Sequence, residues 1–413
     1  MPPALSPKAA ASLRQLIDDA CRDEHGPLPC ATAVAVARTK NGPPAEVFMH
    51  SARMDGQNRN SDDIHWLASC TKLVTGIACM QLVEHGKLSL DDSDLVGEIC
   101  PELARVKVLQ DDGSLVEKKC SITLRMLLSH TAGFGYSFLN PKLQAYARDV
   151  LGQAAYDEFS GRMGDFDQPL VNHPGERFEY GISVDWAGIV VERITGMKLN
   201  DYMQQHIFSP LDIKDVSMFP TLPMKERLIG IWRRGDNGQL ARRAYPVQSS
   251  LDTGSTTDAF HSGGAGLFGS IREYSKILAT LLNDGISPLT GNAILSPATI
   301  HEMFTNQIPQ QPNFARYPLP AVKSNVVNPF EELYPLCPPH TPQGWGLTFM
   351  ISPGVTGRSD TTAHWSGLSN VFWWCDREKG VAGIVASQVL PFVDARAAKL
   401  WAEVETKVYE GLS

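Results

Sequence analysis

The chain predicts an α/β (α+β) fold: an antiparallel sheet flanked by helices, joined to a mostly helical domain. Three observations predict it. Strand-like runs cluster towards the two ends of the 413 residues, at 30–37 and 45–50 and again at 344–350, 371–374 and 381–386. Amphipathic helical periodicity flanks those runs, at 6–24 and 393–409. Between residues 96 and 254 the signals are mostly helical, with long loops and no strand–helix–strand alternation. A sheet assembled from both ends, with a helical insertion, satisfies all three. The expected domains are 1–95 with 255–413 (α/β, discontinuous) and 96–254 (helical), with an active site in the cleft between them.

In chain order, residues 6–24 read as a helix and 30–37 as a buried strand. Asn41–Pro44 is a turn and 45–50 a second strand. A polar segment, 55–63, leads to the apolar run ending in Trp66-Leu-Ala. A helix starts after Ser69 and runs to His85-Gly86; Leu73, Ile77 and Met80 recur at spacings near a helical turn. Residues 122–128, 140–159, 185–194 and 200–208 are expected helices in the middle of the chain.

Gly264-x-Gly266-x-x-Gly269 fits a dinucleotide-binding pattern, yet no apolar strand precedes it and a turn follows the next helix, 271–282. The glycines are better read as letting backbone pass close to a pocket. Residues 308–343 carry nine prolines and little periodicity, which suggests a lid or substrate-binding loop; a passive surface excursion is the alternative. Trp373 and Trp374 alternate along their strand, so one is expected in the core and one on the surface.

Composition excludes several functions. Hydrophobic residues make up 43% and charged residues 20%, the balance of a soluble globular protein. A formal net charge of −8 without a basic stripe argues against nucleic acid as a partner. No run of 18 apolar residues occurs, so no membrane partner is expected. The first residues lead into an amphipathic helix rather than a signal peptide, and the eight cysteines form no Cys-x-x-Cys pair. Both point to a reduced, cytoplasmic protein. His301-Glu302 lacks a second histidine four residues on, so no zinc-protease helix is present, and neither a metal nor a cofactor is implied. No Gly-x-Ser-x-Gly elbow exists, which argues against the α/β-hydrolase fold.

The chemistry is expected at Ser69-Cys-Thr-Lys72. Lys72 lies three residues after Ser69 on the same helix side, with Cβ atoms roughly 5–6 Å apart. A hydroxyl at a helix N-terminus beside an amine fits an activated nucleophile. An N-cap serine with a solvated lysine fits the same four residues. Cys70 reads as a buried helix residue.

Six segments in order carry a wider likeness: Ser69–Lys72, Gly86–Asp92, Ile122–Gly133, Pro174–Gly181, Gly263–Gly266 and Trp365–Gly367. Together they resemble the serine β-lactamase and penicillin-binding-protein superfamily, on its class C and carboxylesterase side. Residues 130–141, 179–188 and the Trp365 motif are most similar to the fungal polyketide acyltransferases that attach the statin side chain.

The resemblance implies a β-lactamase/transpeptidase-like fold. It also implies Ser69 as the acylated nucleophile, Lys72 as proton acceptor or relay, Tyr180 as the tyrosine sharing general-base work, and the backbone N–H groups of Ser69 and Leu368 as an oxyanion hole. Serine is a weak nucleophile until a base takes its proton, and a buried lysine–tyrosine pair can do so near neutral pH. Ile182 stands where the β-lactamase tyrosine motif ends in asparagine, and Trp365 where the third motif begins with lysine. Those departures argue for ester or thioester substrates without the β-lactam carboxylate.

Substrate is expected to meet Tyr136, Ile182, His364, Trp365, Ser366 and Gly367. His364 could equally be a pocket-wall histidine bonded to backbone, and His130 reads as a structural cap rather than a base. The expected activity is a serine acyltransferase. It would move an acyl group from a small ester or thioester donor, free or carrier-bound, through acyl-Ser69 to the hydroxyl of a secondary-metabolite-like acceptor. Carboxylesterase action, with water as acceptor, is the alternative; a catalytically silent binding protein is a third reading, disfavoured by intact Ser69, Lys72 and Tyr180.

Overall fold

A computed structural model describes residues 5–39, 42–56, 62–153, 155–252, 259–334 and 336–412. The Ser6 hydroxyl caps helix α1 (Pro7–Arg22), accepting the Ala9 N–H at 3.2 Å. α1 turns Leu13, Ile17 and Cys21 into the core, as its apolar spacing requires. Strands β1 (Cys30–Thr39) and β2 (Gly42–Arg53) form the first hairpin. Gly42–Pro44, expected in the turn, already belong to β2; Asn41 lies outside the described residues.

The C-terminal strands are β3 (Gly344–Trp345), β4 (Met350–Ile351), β5 (Ala363–Gly367), β6 (Val371–Asp376) and β7 (Val381–Ala386). With the hairpin they make one seven-stranded sheet, ordered β3-β4-β5-β6-β7-β1-β2 and antiparallel throughout. The single strand expected at 344–350 is broken by a tight turn in which Thr348 takes a φ of +83°.

Helix α2 (Thr71–Glu84) follows Ser69; α3 (Ser183–Thr195), α4 (Ile271–Leu282) and α5 (Ala395–Gly411) complete the long helices. α1 and α5 pack together on β1, β2 and β7, while α4 packs on β1, β2, β6 and β7. Covered this way, β6 and β7 bury every residue. Trp373 and Trp374 are therefore both buried, at 1% and 0% exposure, where one had been expected at the surface.

The middle of the chain is richer than its periodicity suggests. The helix expected over 140–159 is only Pro141–Asp149, and the other described residues of that stretch are not helical. Strands Ile231–Arg234 and Leu240–Arg243 form a hairpin, and Val389–Leu390 pairs in parallel with the first of them. The expected boundary at 254/255 falls outside the described residues. Residues 308–343 carry turns and two isolated bridges, Leu319 to Phe330 and Val327 to Phe392, rather than helices or strands. Among the described residues no helix is long and apolar enough to cross a membrane.

Candidate active site

Strand Ile64–Trp66 pairs with Phe268–Ser270 and delivers the chain to one turn of 3₁₀-helix, Ala68–Cys70, from which α2 continues. Ala68 holds a φ of +45°, a left-handed conformation that costs an alanine roughly 1–3 kcal/mol. Thr71 braces it. Its hydroxyl donates to the Ala68 carbonyl at 2.6 Å and accepts the Leu267 N–H at 3.0 Å. The brace sets Ser69 at the head of a helix whose residues Thr71–Leu82 are all buried.

Lys72 is fully buried, which removes the solvated-lysine reading. An ammonium in such a place must satisfy its three protons within the protein. Lys72 Nζ meets Ser69 Oγ at 3.1 Å, Tyr136 OH at 2.9 Å and the Gly264 carbonyl at 2.9 Å. Burial, reinforced by the charges of Asp185, Tyr180 and Glu158, holds the Tyr136 phenol well above the usual tyrosine range. Tyr136 therefore stays protonated beside the amine. Tyr180 arrives from the turn before α3. Its ring centroid lies 4.9 Å from Lys72 Nζ, and its hydroxyl accepts the Trp365 indole N–H at 3.1 Å.

His130 (φ +55°) packs its ring 4.8 Å from that of Tyr180 and 5.3 Å from that of Trp345. Its Nδ1 accepts the Gly181 N–H at 3.4 Å. Burial, with the Lys72 charge adding to it, keeps the His130 imidazole neutral far below its ordinary titration range.

Ser69 opens onto a cavity walled by apolar and aromatic side chains, among them Phe138, Phe159, Phe330, Trp365 and Leu368. Tyr136, Tyr180 and Ser366 line it too, and among the described residues no charged side chain does. Val327, Phe330 and Leu333 come from the proline-rich segment, which is thus part of the wall rather than a passive excursion.

Three expected substrate contacts lie elsewhere. Ile182 is fully buried at the start of α3, away from the cavity wall. Because side chains alternate along β5, His364 points opposite to Trp365; its Nε2 pairs with Ser352 Oγ at 2.8 Å and its ring lies 4.3 Å from that of Tyr334. Gly367 presents no side chain, and a Cβ there would stand 2.3 Å from the Leu67 carbonyl oxygen. That close approach presses the end of β5 onto the Ser69 turn and brings Leu368 to the cavity.

The sequence reading missed the bond from Tyr136 to Lys72, and it missed Asp185. Asp185 is buried and accepts Ser262 Oγ–H at 2.6 Å and Gly264 N–H at 2.9 Å. A lone acid in the apolar run 182–191 was the available signal. Among the described residues no group of three or more histidine, cysteine, aspartate or glutamate side chains could hold a metal ion.

A serine and a tyrosine, both half-buried, gathered around a fully buried lysine at the edge of an antiparallel sheet define the class. The chain matches the Beta-lactamase family model over residues 31–406 and belongs to that family. It is 33% identical to the lovastatin esterase of Penicillium rubens over 350 residues, 82% of each protein. It is 31% identical to the monacolin J acid methylbutanoyltransferase of Aspergillus terreus over 361 residues, 83% of this chain and 81% of that one. Unliganded simvastatin synthase from Aspergillus terreus superposes with a TM-score of 0.75 at 26% identity, covering 98% of each chain. The fold is β-lactamase/transpeptidase-like, as expected, and the chain is an acyltransferase/esterase-type enzyme of this family.

Proposed function

We propose that Ser69 is acylated by a small ester or thioester donor and passes the acyl group to a hydroxyl of a secondary-metabolite-like acceptor. The observation that carries this reading is the Ser69 hydroxyl 3.1 Å from a fully buried amine, at the mouth of a cavity lined, among the described residues, by no charged side chain. Ser69 Oγ attacks the acyl carbonyl, and its proton leaves through Lys72 with Tyr180 sharing the work. Backbone N–H groups of Ser69 and Leu368 receive the oxyanion. The leaving thiol or alcohol takes the proton, and the acceptor hydroxyl then attacks acyl-Ser69 by the reverse sequence. Trp365, Ser366 and Tyr136 form the substrate wall, and the scheme serves a free or a carrier-borne donor with the same chemistry at Ser69. The division into an α/β part and a helical part, with the cleft between, belongs to the same proposal. So does a cytoplasmic location, supported by eight unpaired cysteines, seven of them buried.

Intact-mass measurement after exposure to a panel of acyl thioesters tests the scheme. A single acyl adduct on the wild type, absent from Ser69→Ala, is expected; an adduct that persists in that variant overturns it. The lovastatin esterase relative favours a second reading, hydrolysis with water as acceptor. Partition of a thioester donor between water and added alcohols separates the two, since a hydrolase makes no ester product.

A further inference from the structure

We infer that Asp185 is a positioning residue for Lys72, acting through a one-way chain of hydrogen bonds that runs through the 262–265 turn. Lys72 Nζ donates to the Gly264 carbonyl at 2.9 Å. The same peptide group donates its N–H, that of Ala265, to Ser262 Oγ at 3.0 Å. Ser262 in turn donates its hydroxyl proton to Asp185 Oδ1 at 2.6 Å. Every donor therefore points from the amine towards the carboxylate. Such a chain polarises itself, each bond strengthening the next.

The arrangement links the buried Lys72 amine to the buried Asp185 carboxyl without direct contact; burial raises that carboxyl above the usual range, opposed by Lys72 and the Ser262 and Gly264 bonds. A second strut, Gly264 N–H to Asp185 Oδ1 at 2.9 Å, fixes the turn on the same carboxylate. The turn comes so near that a Cβ on Gly264 would stand 2.3 Å from Asp185 Oδ2. A glycine is required there by close approach, which gives the Gly263–Gly266 run its physical reason.

With its direct partners a hydroxyl, a phenol and a carbonyl, Lys72 takes no carboxylate into its own bonding shell. A carboxylate in direct contact would occupy one of its protons and draw the amine off Ser69. Placed one turn away, Asp185 supplies the counter-charge and leaves the amine aimed at the nucleophile. The titratable groups facing this pair are Tyr136 from the 129–140 loop, Tyr180 from the turn before α3, neutral His130, and the Cys70 thiol on the 3₁₀ turn just before α2. Glu158 stands behind Tyr136. Burial keeps the Cys70 thiol and Tyr136 protonated.

The inference rests on acyl transfer through Ser69, and its test separates the two. Rates of Ser69 acylation by a p-nitrophenyl ester are followed across pH 5–10 for the wild type, Asp185→Asn and Ser262→Ala. Asp185→Asn keeps the shape and an acceptor oxygen but removes the charge. Its acylation rate should drop by about tenfold or more, and the acid limb of its pH profile should move roughly one unit towards lower pH, because the ammonium has lost its counter-charge. Ser262→Ala cuts the chain while leaving the carboxylate and the Gly264 strut. It should lose rate several-fold with KM unchanged and a smaller shift of the same limb. Should Asp185→Asn fail to fold, Ser262→Ala decides alone. Wild-type rates and limbs in every variant that folds overturn the inference while the acyl-Ser69 scheme stands. An unacylated wild type overturns both.

Discussion

Trp365 stands on β5 with its indole N–H 3.1 Å from the Tyr180 hydroxyl and its ring centroid 5.0 Å from that of Tyr180. Replacing it with phenylalanine keeps an aromatic wall against Trp345, 4.6 Å away between centroids, and deletes one donor. In the proposed scheme Tyr180 passes its own hydroxyl proton towards Lys72 ahead of taking the serine proton, so its oxygen gains negative charge and the indole bond becomes charge-assisted in the transition state. A hydrogen bond to a charged group contributes about 1.5–3 kcal/mol. Trp365→Phe should therefore lower kcat/KM for p-nitrophenyl butyrate by roughly 10- to 100-fold. The loss should fall on kcat, because the bond strengthens after the substrate is seated. Thermal melting of the variant, measured alongside, should stay near that of the wild type, since the ring contacts remain. A variant within twofold of wild-type kcat would refute the idea that this indole serves the tyrosine. A loss confined to KM would reassign Trp365 to substrate packing alone.

Other expectations follow from the same geometry. Tyr180→Phe should cut turnover of the same ester by roughly 10²–10⁴-fold, and a near-normal rate would remove that hydroxyl from the reaction. The fully buried pair Arg358–Glu405, joined at 2.6 Å, predicts that Arg358→Met loses about 3–5 kcal/mol in urea unfolding, much of it recovered when Glu405→Leu is added. Burial drives His65 down to about 3. Its unfolded form binds a proton below the ordinary histidine range while the folded form does not. Stability should thus fall as pH drops from about 6.5 towards 3, by roughly 2 kcal/mol for this one group by pH 5, and urea midpoints of His65→Leu should fall less steeply. Shortening Phe159, which stacks 5.6 Å from Phe138 in the cavity wall, to leucine should move the preferred p-nitrophenyl ester towards longer acyl chains; an unchanged chain-length profile would take Phe159 out of the acyl-binding wall.

Much of this architecture is legible in the chain. Helical periodicity identifies α1 and α4 because it reports one buried face, while continuous apolar runs mark β1, α2 and most of α3, which are buried all round. Ser69 and Lys72 can be picked out since residue type, spacing and a helix start coincide, whereas Tyr180 is implied only by the family resemblance. What escaped reading depends on long-range approach. Trp373 and Trp374 cannot reveal that their sheet is covered on both sides. The 231–243 hairpin is short and partly exposed, so it has no strong period. His364 and Ile182 were assigned by their nearness in sequence to functional neighbours, whereas alternation along a strand and the start of a helix turn both away from the cavity. Asp185 touches Ser262 and Gly264 across 77 and 79 residues, a relation no local pattern carries.

The described part of the proline-rich segment that supplies Val327, Phe330 and Leu333 is built of turns and single bridges, and adds no strand to the main sheet. The reacting groups, by contrast, are held at the head of α2 and on the turn before α3. Substitutions in the strap can therefore reshape what the enzyme accepts while leaving its proton-handling centre untouched. Selectivity and reactivity are inherited from separate stretches of chain, and a library confined to the strap would vary one at little risk to the other.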